Sequence, residues 1–301
     1  MKADERFTGL DLQFWAHVRL ITGTLGESKR GSGRVDAYSW DDMAVALKKL
    51  GRSPDALGSA EAPSKLATLL QAYFAYRATV LNDEVRVNLM GVDQAARLYG
   101  EILEEVGAHS HLEFFADGKK VYEEYLVDDA VVRIPMNKQT GEKRTPAYLT
   151  GIVNLLVTKH LGMEWDSDPQ TLPVIDHDGQ LAAVMSRRMD GSVPSTVNPV
   201  AMWEIKEYYY TTTFGSKISD AVYITALDGF ERSEIEARTG VSVEHLVMID
   251  AYDTWWGKGR PYLCRLIDLL SMGRVDEIIF GREVTTRLPE LALGWRRKLA
   301  L

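Results

Sequence analysis

Residues 189–206 read MDGSVPSTVNPVAMWEIK, and the fold turns on how this stretch is read. The residues before it, Gln180 to Asp190 with an apolar run from Leu181 to Met185, have the composition of a strand. Gly191, Pro194, Asn198 and Pro199 supply a turn, and Val200–Lys206 is a second strand. Alternate side chains of a strand share a face, so Glu204 and Lys206 project together while Trp203 and Ile205 point the other way. Asp190, closing the first strand, reaches the same spot across the hairpin. Two carboxylates and one ammonium converging there can hold a divalent cation and activate a water.

The flanks set the context. Thr145 and Pro146 open a helix over Ala147–Leu161 that Gly162 ends, with Leu149, Ile152, Val153 and Leu156 forming the stripe that packs on a sheet. After the hairpin come a helix over Ile218–Phe230, an apolar strand around His245–Ala251, a helix over Gly259–Met272 and a strand at Val275–Phe280. Helix, hairpin, helix, strand, helix, strand implies parallel crossovers within a mixed sheet.

The pattern Asp190–x13–Glu204–x–Lys206, on a hairpin in that order of elements, resembles the PD-(D/E)xK nuclease superfamily, of which type II restriction endonucleases are soluble, single-chain members. The resemblance covers somewhat under half of the chain. It implies an α/β (α+β) fold: a restriction-endonuclease-like core with a mixed central sheet flanked by helices, beside a helical N-terminal region. It further implies Mg²⁺-dependent hydrolysis of double-stranded DNA by a homodimer. Asp190, Glu204 and the backbone carbonyl of Ile205 would hold the metal, and Lys206 would orient or deprotonate the attacking water. Mg²⁺ takes one or two protein carboxylates and keeps waters and substrate phosphate as its other ligands, which suits this set. There are departures. The first acid follows methionine rather than proline, the 147–161 helix carries no further acid, and Glu207 lies on the opposite strand face from Lys206.

Composition bounds the alternatives. The chain has 301 residues, 46% of them hydrophobic and 26% charged, enough for one large or two ordinary domains with a proper core. No run approaches the roughly 18–20 apolar residues of a membrane span, and the first residues lack a signal peptide's apolar core. A single cysteine, Cys264, excludes an intramolecular disulfide and a thiolate zinc cluster, so a cytoplasmic setting is expected. The net charge of −8 leaves room for a local basic groove and decides nothing. The expected division is a mostly helical region over 1–110, serving recognition or dimerisation, and a nuclease domain over 111–301 with its hairpin at 180–207.

Several residues suit contact with a nucleic acid, each with a structural alternative. Arg188 shares parity with Asp190 and can meet a phosphate. Lys29, Arg30 and Arg34 lie in a glycine-rich loop that is either a phosphate-contacting arm or a solvated connector. Ser216 and Lys217 open a helix, where anions bind well. Tyr208–Tyr210 and Thr211–Thr213 offer hydroxyls or simply extend a strand. Trp255, Trp256, Lys258 and Arg260 form a loop that stacks on bases or, through the tryptophans, fills a core. His109 and His111 lack the further ligands of a zinc site, and Glu123, Glu124, Asp128 and Asp129 read as a solvated acidic face. A repair, recombination or phage-defence nuclease of the same superfamily is the nearest alternative function. A non-catalytic DNA-binding or scaffold protein is the alternative of a different class.

Overall fold

In chain order, a computed structural model gives helices α1 (Leu12–Leu25), α2 (Trp40–Lys49), α3 (Lys65–Thr79), α4 (Arg86–Asn88) and α5 (Val92–Glu105). Strands β1 (His109–Ala116), β2 (Lys119–Val127) and β3 (Ala130–Pro135) follow, then α6 (Tyr148–Leu161). Next come β4 (Val174–His177), β5 (Gln180–Val184), β6 (Gly191–Val193), β7 (Ala201–Glu207) and α7 (Ser216–Thr239). The chain finishes with β8 (Glu244–Asp250), α8 (Arg260–Ser271), β9 (Glu277–Phe280) and α9 (Val284–Leu299). The structure describes residues 1–27, 32–210 and 215–300, apart from the side chains of Glu142 and Ser216. Among the described residues, no helix is long and apolar enough to cross a membrane.

Local signals set the helix starts. The Asp11 side chain accepts from Phe14 N, and the Ser64 hydroxyl accepts from Ala67 N. Ser39 and Asp42 form a reciprocal capping box. α6 ends at Gly162 in the left-handed conformation, a position a side chain would strain.

The molecule divides into two units. The first comprises residues 1–2, 88–254 and 274–301, and the second comprises residues 3–87 and 255–273. The division expected at 110 therefore falls at 87, and a second segment joins the helical part. The reason is visible in α5: Tyr99 and Ile102, with Val106 just past its end, are buried in one cluster with Leu149, Ile152 and Leu156 of α6. That helix belongs with the sheets.

The first unit is built on the mixed sheet β6-β7-β8-β9. β6 and β7 are antiparallel, while β7–β8 and β8–β9 are parallel, with Glu204 opposite Val247 and Ile205 opposite Met248. The crossovers implied by the sequence are present. Trp203, Leu246, Met248 and Ile279 pack against the α6 stripe and against Leu288 and Trp295 of α9. Full burial of each such side chain contributes roughly 1.5–3 kcal/mol.

Two strands differ from expectation. Gln180–Val184 pairs with β4, Ile175 opposite Ala183, so the long first arm of the hairpin is not continuous. The chain bends between Met185 and Asp190, and only Gly191–Val193 pairs with β7. The acidic stretch at 123–129 includes much of β2, the central strand of the sheet β1-β2-β3. Glu123 is buried there, bound to Lys120 Nζ at 2.7 Å. Charge masked the strand because a buried acid with a lysine partner looks in sequence like a solvated one.

The second unit is helical. Phe7, Phe14, Trp15 and Tyr73 form an edge-to-face aromatic cluster with ring centroids 5.1–5.7 Å apart. Arg77, fully buried, meets Asp268 of α8 at 3.0 Å and donates to Thr22 Oγ1 at 3.3 Å. Trp255 and Trp256, which belong to this unit, are buried and are not available for stacking on bases.

Candidate active site

β6 and β7 bring the acid and the Glu–Lys pair together. Asp190 N donates to Trp203 O at 3.0 Å, and Ile205 N donates to Asp190 Oδ2 at 2.7 Å, so the Asp190 carboxylate closes the ladder where β6 stops. Gly191 lies opposite Trp203, and a Cβ at Gly191 would come within 2.4 Å of the indole. The absence of a side chain there lets the two strands approach under the ring. Trp203 in turn stacks on Trp295 with centroids 5.5 Å apart.

Glu204 and Lys206 share one face, as alternation requires, and both are buried. Lys206 Nζ lies 2.5 Å from Glu204 Oε2, and Arg187 forms an ion pair with Glu204 Oε1. Arg187 Nη1 also donates to Asp228 Oδ2 of α7 at 3.0 Å. Three carboxylates thus face two cations. Arg188, expected at this site, instead bonds Gln170 in an exposed position. The chain between Met185 and Asp190 is bent rather than extended, so strand parity does not apply to it. Asp228 is a site residue that strand alternation does not reach. Its signal is a polar series, Thr225, Asp228 and Arg232, on the buried face of a helix.

The electrostatics follow from burial and proximity. Asp190 presents one side to solvent; burial of the other side and the Glu204 carboxylate push its pKa up to about 6. Burial, outweighing the attraction of Arg187, raises Asp228 to about 7. Burial opposes the charge of Lys206, but the adjacent Glu204 carboxylate holds its ammonium above the usual value. Glu207 faces away from this cluster, and its Oε2 accepts from Leu149 N at 2.7 Å at the start of α6. It serves as that helix's cap, in place of the expected Thr145.

A cleft of about 510 Å³ opens on the Asp190 edge of β7, lined by Asp190, Ile205, Glu207, Tyr208–Tyr210 and Lys217 and, on its opposite wall, by Arg133, Asn137, Lys138 and Asn154. Lys217 is therefore beside the site. Tyr209 is committed, its hydroxyl donating to Asp250 Oδ2. Lys29, Arg30, Thr211–Thr213 and the side chain of Ser216 lie outside the described residues. Arg34, paired with Asp83 at 3.5 Å, and Lys258 and Arg260 belong to the second unit. Arg260 is turned onto its own chain, donating to Trp256 O at 3.2 Å.

The donor set fits a hard cation. Asp190 would supply a carboxylate oxygen, and so would Glu204, whose two oxygens otherwise face Arg187 and Lys206. In a strand a residue's N–H and C=O point to the same edge, so the Ile205 carbonyl is directed to the Asp190 side, past the end of β6. A second cluster, His111, Glu113 and Glu123 on the β1-β2-β3 sheet, also brings ligand atoms within 4.8 Å of one another. Lys120 Nζ already sits 2.7 Å from both glutamates, supplying the positive charge itself.

The molecule is thus an α+β protein with an acid–lysine cluster on its mixed sheet. It belongs to the family described as domain of unknown function DUF7687, whose model matches residues 92–295. Residues 1–84 match the model of a second domain of unknown function, DUF7690. No curated protein and no solved structure matches the chain.

Proposed function

We propose that the chain is a Mg²⁺-dependent endonuclease that hydrolyses phosphodiester bonds of double-stranded DNA, acting as a sequence-specific type II restriction enzyme. The observation that carries this reading is the meeting of Asp190, Glu204 and Lys206 at the end of a short hairpin, beside an open cleft. Asp190 and Glu204, with the Ile205 carbonyl, would hold the metal. Bound there, Mg²⁺ supplies a water of lowered pKa and neutralises charge gathering on the phosphoryl oxygens. Lys206, held as an ammonium by Glu204, orients that water and offsets phosphate charge rather than acting as the base. Lys217 and Lys138, at the cleft, are placed to meet the flanking phosphates. A homodimer would supply the second centre that cutting both strands requires.

The test is cleavage of mixed-sequence plasmid and phage DNA with Mg²⁺. Wild type should give discrete bands, and Glu204→Ala and Lys206→Ala should each lose at least about a hundredfold in rate. A smear lost in the same variants would favour a repair or defence nuclease. Cutting that survives both substitutions would remove the reaction from this site, and wild-type DNA binding without cutting would favour the scaffold reading.

A further inference from the structure

Glu204 has no free oxygen: Oε2 faces Lys206 and Oε1 faces Arg187. A metal on this residue would compete with those cations for the same two oxygens. The two contacts of Arg187 are unequal. To Asp228 it donates a hydrogen bond of 3.0 Å, and with Glu204 Oε1 it makes an ion pair that is the closer of the two. Asp228 also holds capacity in reserve, since its Oδ1 is buried without a hydrogen-bond partner among the described residues. A guanidinium pairs best with one carboxylate through two parallel N–H groups. Arg187 can therefore release Glu204 and close onto both oxygens of Asp228, which would satisfy a buried acceptor that is orphaned in the present arrangement.

The surroundings permit that movement. The Arg187 side chain is 25% exposed, against 1% for Glu204 and 0% for Asp228. The Arg187 segment is anchored to α7 independently, through Ser186 N donating to Glu231 Oε2 at 3.0 Å. The side chain can swing while its backbone stays.

Resting on the nuclease reading of the same site, we propose that Arg187 is an internal counter-cation competing with divalent metal for Glu204. Asp228 is the positioning residue that receives its guanidinium when metal binds. The cluster is then balanced by its own arginine until metal displaces it, and Asp228 sets how readily that happens.

The experiment is Mn²⁺ binding to the full chain without nucleic acid, followed by the paramagnetic signal of the free ion. Arg187→Gln should tighten Mn²⁺ by about tenfold, because the competitor is gone, and Asp228→Asn should weaken it by a similar factor, because Arg187 then has only Glu204. Glu204→Gln should abolish the site. If Arg187→Gln does not fold, Arg187→Lys, with one ammonium in place of a two-pronged group, should give a smaller shift in the same direction. Shifts of the same sign in the Arg187 and Asp228 variants, or none, with Glu204→Gln still abolishing binding, would overturn the counter-cation while leaving the metal site standing. Mn²⁺ binding unchanged by Glu204→Gln would overturn both.

Discussion

Two arginines paired with acids show how differently the two units use charge. In the second unit, Arg77 is fully enclosed, meets one acid, Asp268, and shares it with the Tyr73 hydroxyl, while the Phe74 ring lies 5.1 Å from its guanidinium. One arginine balances one carboxylate, and aromatic rings close the remaining sides. In the first unit, Arg187 stands between two acids, keeps a quarter of its side chain in solvent and belongs to a cluster with more carboxylates than cations. The first arrangement is fully enclosed, with one donor, Arg77 Nε, buried without a hydrogen-bond partner among the described residues. The second leaves a carboxylate oxygen of Asp228 unfilled and keeps its arginine partly in solvent, which is the condition the proposed exchange of cations requires. A buried ion pair is weak evidence of stability in general, and here the balance of charge separates an enclosed pair from one partly open to solvent.

The largest effect expected from this contrast is on stability in the helical unit. Arg77→Leu strands the Asp268 carboxylate among aromatic side chains and should cost about 3–5 kcal/mol in urea unfolding. Arg187→Gln, with its half-open surroundings, should cost distinctly less. Equal losses would end the distinction between the two arginines. A smaller effect is expected from Gly191→Ala, since the added methyl drives into the Trp203 ring. Overpacking of this kind costs about 1–3 kcal/mol, and it should displace Asp190, so DNA cleavage should fall by more than the loss of folded protein explains.

The smallest effect sharpens the comparison through pH. His245 is buried on β8, its Nδ1 3.3 Å from Arg274 O, and burial lowers its pKa to about 4. A depressed folded value means stability that is present above the unfolded pKa of about 6.5 and is lost as pH falls toward 4. Between pH 7 and pH 5, stability should fall by on the order of 1–2 kcal/mol from this residue. Hydrogen exchange should show it as lost protection in Leu246–Ile249 of β8 with α3 unchanged, and His245→Asn should remove the difference. Loss of protection spread equally over both units would contradict a local origin.

Much of this was legible in the residues. Alternation placed Glu204 and Lys206 on one face because β7 is a regular strand, and Ser39 and Ser64 announced their helices through side chains that bond the backbone next to them. The β7–α7–β8–α8–β9 order followed from the change of periodicity. What sequence could not give depended on tertiary partners. Gln180–Val184 has strand composition but no mark saying that β4, rather than β7, is its neighbour. Parity selected Arg188 over Arg187 because it assumed an extended backbone where the chain bends. Asp228 and Asp190 are 38 residues apart in sequence, and no local rule joins them. Glu207 faces away from Lys206, and that direction is what brings it to the start of α6.

The division of the chain has a consequence for synthesis. The helical unit takes residues 3–87 and then 255–273, and Asp268, the partner of Arg77, arrives only with the second segment. At about 5–20 residues per second, a ribosome needs roughly ten to thirty seconds to travel from one segment to the other. Throughout that interval the nascent N-terminal helices carry an arginine whose acid has not been made, while the strands of the other unit emerge behind them. The part of the protein that begins first is therefore unable to finish first.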